Sequence, residues 1–234
     1  MRIRRVLATA PVVALLTTAV ACSGDDGPPL PDRTGPTVAA TLTATLTRTP
    51  DALTWSWSLR NDEPAEIAVF SGDSADEDGA GGGSSNSPTA WVVPRDDTTV
   101  EVSKRLLAQP PDVGLARPST QYGTVLPAGT TLAGTATVSL PLRLAHPYRT
   151  SFDPPLRLPE DPESVVFCIG VARAEGFPPR PFETPAGDGP TPAASAGTLY
   201  ASPDGAAPPG ARKARYVHGS GERQHLVCAP PQPL

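Results

Sequence analysis

Three cysteines, three histidines and a scatter of carboxylates are the side chains with chemistry to offer in this 234-residue sequence. His218, His225 and Cys228 are the tightest group, and a hairpin bringing His218 across from the other two would set out the nitrogen and sulfur donors a soft metal takes. The competing reading is two surface histidines beside a cysteine already spent in a disulfide, and it leaves no metal. Asp73, Asp76, Glu77 and Asp78 lack the spaced oxygen donors and closing Glu of a calcium loop, so a solvated acidic loop is expected. The glycine run Gly79 to Gly83 has no Lys-Ser/Thr to grip phosphate and opens no helix. Glu160 and Asp161 sit between prolines, where solvation is expected rather than acid-base work. No serine stands in Gly-x-Ser-x-Gly, and His146 directly precedes Pro147. The residues therefore point to no catalytic set and no cofactor.

The first 21 residues carry Arg2, Arg4 and Arg5, then an apolar run from Val6 to Val20 broken by Thr9, Pro11, Thr17 and Thr18, and end in small residues. That is the pattern of an export signal, with Arg4-Arg5 as plain charge ahead of the apolar run. The run falls short of the roughly 20 residues that span a bilayer. Its end, Ala19-Val20-Ala21-Cys22, resembles the lipobox of bacterial lipoproteins, with Ala where Leu is usual three positions before the Cys. The resemblance implies that Cys22 becomes the first mature residue and takes the lipid; simple cleavage after Ala21 is the alternative. An exported chain with an odd cysteine count leaves one to explain, and Cys22 would be that one. Cys168 and Cys228 remain, each in an apolar strand-like run, and are expected to pair in a compartment where disulfides persist. Two buried thiols are the other possibility.

Charge narrows the partners. Without the three arginines of residues 1–21 the chain holds 16 basic against 24 acidic residues, a net charge of −8. Nucleic acid is not expected as a partner. Anionic head groups are repelled too, so attachment to a membrane falls to the N-terminal lipid.

These groups need a scaffold, and the scaffold starts at Leu53 to Asn61, where Leu53, Trp55, Trp57 and Leu59 alternate with polar residues as on a strand with one buried face. Thr37 to Thr47 alternates in the same way, with threonine on the wet side. Ile67, Val69 and Phe70 follow a short polar turn, so an antiparallel three-strand meander is expected. Trp91 to Val93 and Val100 to Leu107 read as further strands. Leu126-Pro127-Ala128-Gly129 fits a type I turn, and Thr130 to Leu140 reads as an edge strand closed by Pro141. Val165 to Val171 is apolar throughout and belongs near a sheet centre. Arg215 to His218 and His225 to Cys228 are expected to close the chain as a hairpin. The 31 prolines and 21 glycines gather mostly in the connections. The division expected is a signal at 1–21, a lipidated flexible tether at 22–36, one sandwich domain at 37–229 with flexible loops at 72–88 and 175–211, and a tail at 230–234.

Eight or nine short strands at intervals of about 8 to 12 residues, with no amphipathic helix, indicate an all-β antiparallel β-sandwich. The Trp-Ser-Trp-Ser-Leu-Arg-Asn strand and the Leu-Pro-Ala-Gly-Thr-Thr turn resemble those of immunoglobulin-like domains in secreted bacterial lipoproteins, including BsuPI-type proteinase-inhibitor-like domains. The resemblance implies fold and carries no functional residue over. The expectation for function is a membrane-tethered, non-catalytic binding or structural module of the cell envelope, possessing an envelope protein partner. An envelope hydrolase assembled from distant loops, or an inhibitor-like domain, is the alternative.

Overall fold

The tryptophan strand is the middle of a three-stranded antiparallel sheet. β2 (Ala52–Asn61) lies between β1 (Ala40–Arg48) and β7 (Thr131–Ser139). The computed structural model describes residues 35–71, 90–108, 110, 120–177, 208–217 and 223–234. Leu53, Trp55, Trp57 and Leu59 are all buried on one face of β2, as the alternation requires. Trp57 lies opposite Gly134 on β7, where a Cβ would sit 2.7 Å from the indole, so a side chain there would have to push the ring aside. On the wet face, Thr54 and Thr137 share a hydroxyl hydrogen bond of 3.1 Å.

The second sheet contains β3 (Ile67–Val69), β4 (Trp91–Pro94), β5 (Thr99–Lys104), β6 (Thr120–Leu126), β8 (Ser164–Arg173), β9 (Arg212–Val217), β10 (His225–Cys228) and β11 (Gln232–Pro233). Cys168 pairs with both Ser103 and Cys228, and Val171 with both Val69 and His225. β10 therefore runs along one side of β8, while β5 and β3 follow each other along its opposite side. The sequence shows the reason for this central position, since Val165 to Ala172 are buried without a break. Val165, Phe167, Ile169 and Val171 face the first sheet, and Trp55 stacks on Phe167 at 5.6 Å between ring centroids. The opposite face builds a second, smaller core from Ala68, Phe70, Leu106, Ala172, Phe177 and Tyr216. Two sheets packed face to face make the fold a β-sandwich.

Three local expectations give way to tertiary structure. β3 does not continue the meander; it crosses to the second sheet and pairs with β6 and β8, because its three residues are buried on both faces and only the larger sheet covers both. β9 and β10 do not form a hairpin. β9 pairs with β6 and β10 with β8, since the apolar residues of β10 find their partners in the continuously buried strand rather than in their nearest neighbour. The turn after β6 is displaced by one residue: Thr130 N donates to Pro127 O at 3.3 Å, and Gly129, with φ +69°, occupies the third position, where a type II turn needs positive φ.

Two stretches set apart above as loop or tail also contribute to the fold. Phe177, just inside the 175–211 stretch, is buried against Phe70 at 5.4 Å. Residues 230–234, set apart above as a tail, contribute β11, and Leu234 N donates to Glu163 O at 2.9 Å. The signal, Cys22, most of the tether, the 72–88 loop with its acidic and glycine runs, and most of 175–211 lie outside the described residues.

Candidate functional site

The densest polar chemistry gathers around the bridge. Cys168 and Cys228 are bonded, with Cα atoms 4.1 Å apart, directly opposite each other on β8 and β10. Ala229 N donates to Phe167 O at 2.9 Å, so the next pair, Cys168 and Cys228, is a non-hydrogen-bonded one, where opposed side chains approach most closely. This disulfide points to an extracytoplasmic compartment. No helix of the described residues is long and apolar enough to cross a membrane.

Beside the sulfurs lies a buried ion cluster. Arg95, just after β4, places Nη1 at 3.4 Å from Cys168 Sγ, 3.6 Å from Cys228 Sγ and 3.5 Å from Glu101 Oε2. Glu101 Oε1 receives Arg105 Nε at 2.7 Å. Glu101 and Arg105 are almost completely shielded from water. Two guanidinium groups thus hold one carboxylate in a dry setting, which compensates a charge that would be costly alone. Glu101 is committed to that role by its geometry.

Two buried glutamines complete the network where strands run out of partners. Leu106 N donates to Gln224 Oε1 at 3.0 Å and Gln224 Nε2 donates back to Leu106 O at 2.6 Å, so one amide side chain imitates a neighbouring strand. Gly170 makes this possible, since a Cβ there would collide with the Gln224 amide and with Arg105. Gln121 Nε2 donates to Phe70 O at 2.8 Å while its Oε1 accepts from Trp91 Nε1 at 3.0 Å. Both satisfy backbone or indole groups that burial would otherwise penalise.

Of the residues singled out for metal, two are placed and neither is free to form the expected set. Cys228 is in the bridge, His225 Nδ1 lies 3.1 Å from both the backbone N and O of Val38, and His218 lies outside the described residues. Among the described residues no group of three or more His, Cys, Asp or Glu is placed to hold a metal. His146 is buried, accepts Tyr148 N at Nδ1 (3.0 Å) and packs edge-on against Phe152. Glu160 and Asp161 are exposed in their loop. Comparison with known protein families, with curated proteins and with solved structures finds no match to this chain.

Arg95, Glu101, Arg105, Gln121 and Gln224 were not singled out in the sequence. Their one signal is the alternation of Val100 and Val102 with Glu101 and Ser103, which reads as a half-exposed strand unless the far face is known to be covered.

Tyr216 is the opposite case, a buried polar group without an acceptor or donor among the described residues. Its ring packs against Phe70 at 4.9 Å. Burial holds the phenol well above its ordinary range, with Arg212 pulling it down and Glu66 pushing it up by smaller amounts. A phenol that stays protonated in the fold but ionises near pH 10 when unfolded contributes nothing to pH dependence below about 10 and costs stability as pH rises beyond it. Tyr216→Phe is expected to raise the unfolding free energy by about 1 kcal/mol at pH 7 and to flatten the loss of stability above pH 10. Urea unfolding of both proteins at pH 7 and at pH 10.5 checks both effects.

Proposed function

We propose that this chain is an extracytoplasmic lipoprotein, held on the cell membrane by a lipid on Cys22, whose sandwich serves as a non-catalytic binding or structural module of the cell envelope. The observation that carries the reading is the export-type segment ending at Ala19-Val20-Ala21-Cys22. The Cys168–Cys228 bridge supports it, because such a bond lasts outside the reducing cytosol. With that pair bonded, the leftover cysteine is the one at the lipobox-like position. The non-catalytic part of the reading is supported by how the polar groups are used: buried Glu101 is held by arginines, buried Gln121 and Gln224 by backbone, and half-buried His225 by Val38. These contacts serve the fold. The net charge of −8 on the mature chain favours a protein partner over nucleic acid.

Replacing Cys22 by Ala should move the protein out of the detergent phase of an envelope extract, or leave its signal uncleaved. A Cys22→Ala chain that is processed and still partitions into detergent would end the lipid-anchor reading.

A further inference from the structure

Among the described residues β1 pairs on one side only, with β2. Asp62 N donates to Ala39 O at 3.0 Å and Thr49 N to Ala52 O at 2.9 Å, at the two ends of the β1–β2 register. Backbone groups alternate sides along a strand, so odd-numbered residues of β1 bond to β2. The N–H and C=O groups of Ala40, Leu42, Ala44 and Leu46 point to the open side.

That open edge is nine residues long, and within it Arg48 is the one charged residue and there is no proline. Charge, proline and bulges are the usual means of preventing edge pairing. Its inward side chains are unfinished as well: Leu42, Ala44 and Leu46 are only half-buried, whereas Leu132, Ala136 and Val138 on the opposite edge strand β7 are buried. The links from this edge to the second sheet fall at its ends, from Val38 to His225 and from Arg48 Nη2 to Pro233 O at 2.7 Å. Among the described residues no second strand pairs with the middle of this edge.

The sequence of the edge identifies its occupant. Thr41-Leu42-Thr43-Ala44-Thr45-Leu46-Thr47 reads the same in both directions about Ala44. A second copy brought in antiparallel on a two-fold axis at Ala44 sets Thr43 opposite Thr45, Leu42 opposite Leu46 and Thr41 opposite Thr47, with threonines on the wet face and leucines on the core face throughout. Such self-complementarity is what an isologous interface demands. We propose that β1 is a self-association edge through which two copies of this chain join their small sheets into one six-stranded sheet, β7-β2-β1-β1-β2-β7. The inference stands apart from the lipid anchor and rests on β1 alone.

Threonines 43 and 45 are exposed, so changing them leaves the β1–β2 ladder intact and tests the register directly. Sedimentation equilibrium of the full chain in density-matched non-ionic detergent is expected to show a reversible dimer. Thr43→Lys with Thr45→Lys places two like-charge pairs across the axis and should raise the dimer dissociation constant about tenfold. Thr43→Lys with Thr45→Glu turns both pairs attractive and should restore the parent value. Near-UV circular dichroism checks that all three share one fold. A monomeric parent, as expected if a segment of the same chain covers the edge, would overturn the proposal. So would a Lys/Lys variant that dimerises as the parent does, or a Lys/Glu variant as weak as Lys/Lys.

Discussion

Glu101→Gln is expected to lower the unfolding free energy by about 3 to 5 kcal/mol, a large part of the roughly 5 to 15 kcal/mol that keeps a domain folded. The substitution keeps size and shape and removes only the negative charge. Arg105, 2% exposed, then loses the carboxylate 2.7 Å from its Nε, and Arg95 loses the one at 3.5 Å. Removing one member of a buried pair costs the desolvation of what remains. The companion experiment removes the carboxylate together with its more deeply buried partner: Glu101→Leu with Arg105→Met leaves only Arg95, 20% exposed and within reach of water, and should cost less than Glu101→Gln. Urea unfolding followed by tryptophan fluorescence reads both, since Trp55 and Trp57 report on the core shared by the two sheets.

Loss of the disulfide is the second large effect. The bridge closes a loop with a sequence separation of 60, for which chain entropy predicts about 4 kcal/mol of stabilisation. Cys168→Ala with Cys228→Ala should therefore unfold several degrees earlier than the oxidised parent. The pairing pattern also says where the damage begins. β10 has four residues, pairs with β8 and is tied to it by this bond, whereas β8 keeps β5 and β3 on its other side. Amide exchange should rise first in 225–228, ahead of β2 and β8. Uniform loss of protection across both sheets would show that β10 is not a separable unit.

The amino-acid pattern makes the fold legible where a strand's environment is simple. Leu53, Trp55, Trp57 and Leu59 have one dry face, so period two reports them faithfully. Val165 to Val171 is buried on both sides, and its unbroken apolar run says so. β3 and β10 are different, because three or four residues carry too little pattern to name a sheet, and sequence neighbours are the default partners until packing overrules them. The ion cluster was hidden for another reason. Glu101, Ser103 and Arg105 look like an exposed row, and nothing in the alternation reveals that Phe70, Leu106, Phe177 and Tyr216 build a second core on that side of the sheet. Cys168 and Cys228 were legible by counting, which needs no geometry.

Intact and peptide mass spectrometry of the protein recovered from the membrane fraction of an expressing bacterium tests the tethered, disulfide-closed module most directly. The account predicts a chain beginning at Cys22 with a diacylglyceryl thioether on its sulfur, together with one linked peptide pair joining Cys168 to Cys228. A chain beginning at Cys22 or later with no lipid, or alkylatable thiols at 168 and 228 in the folded protein, would contradict it.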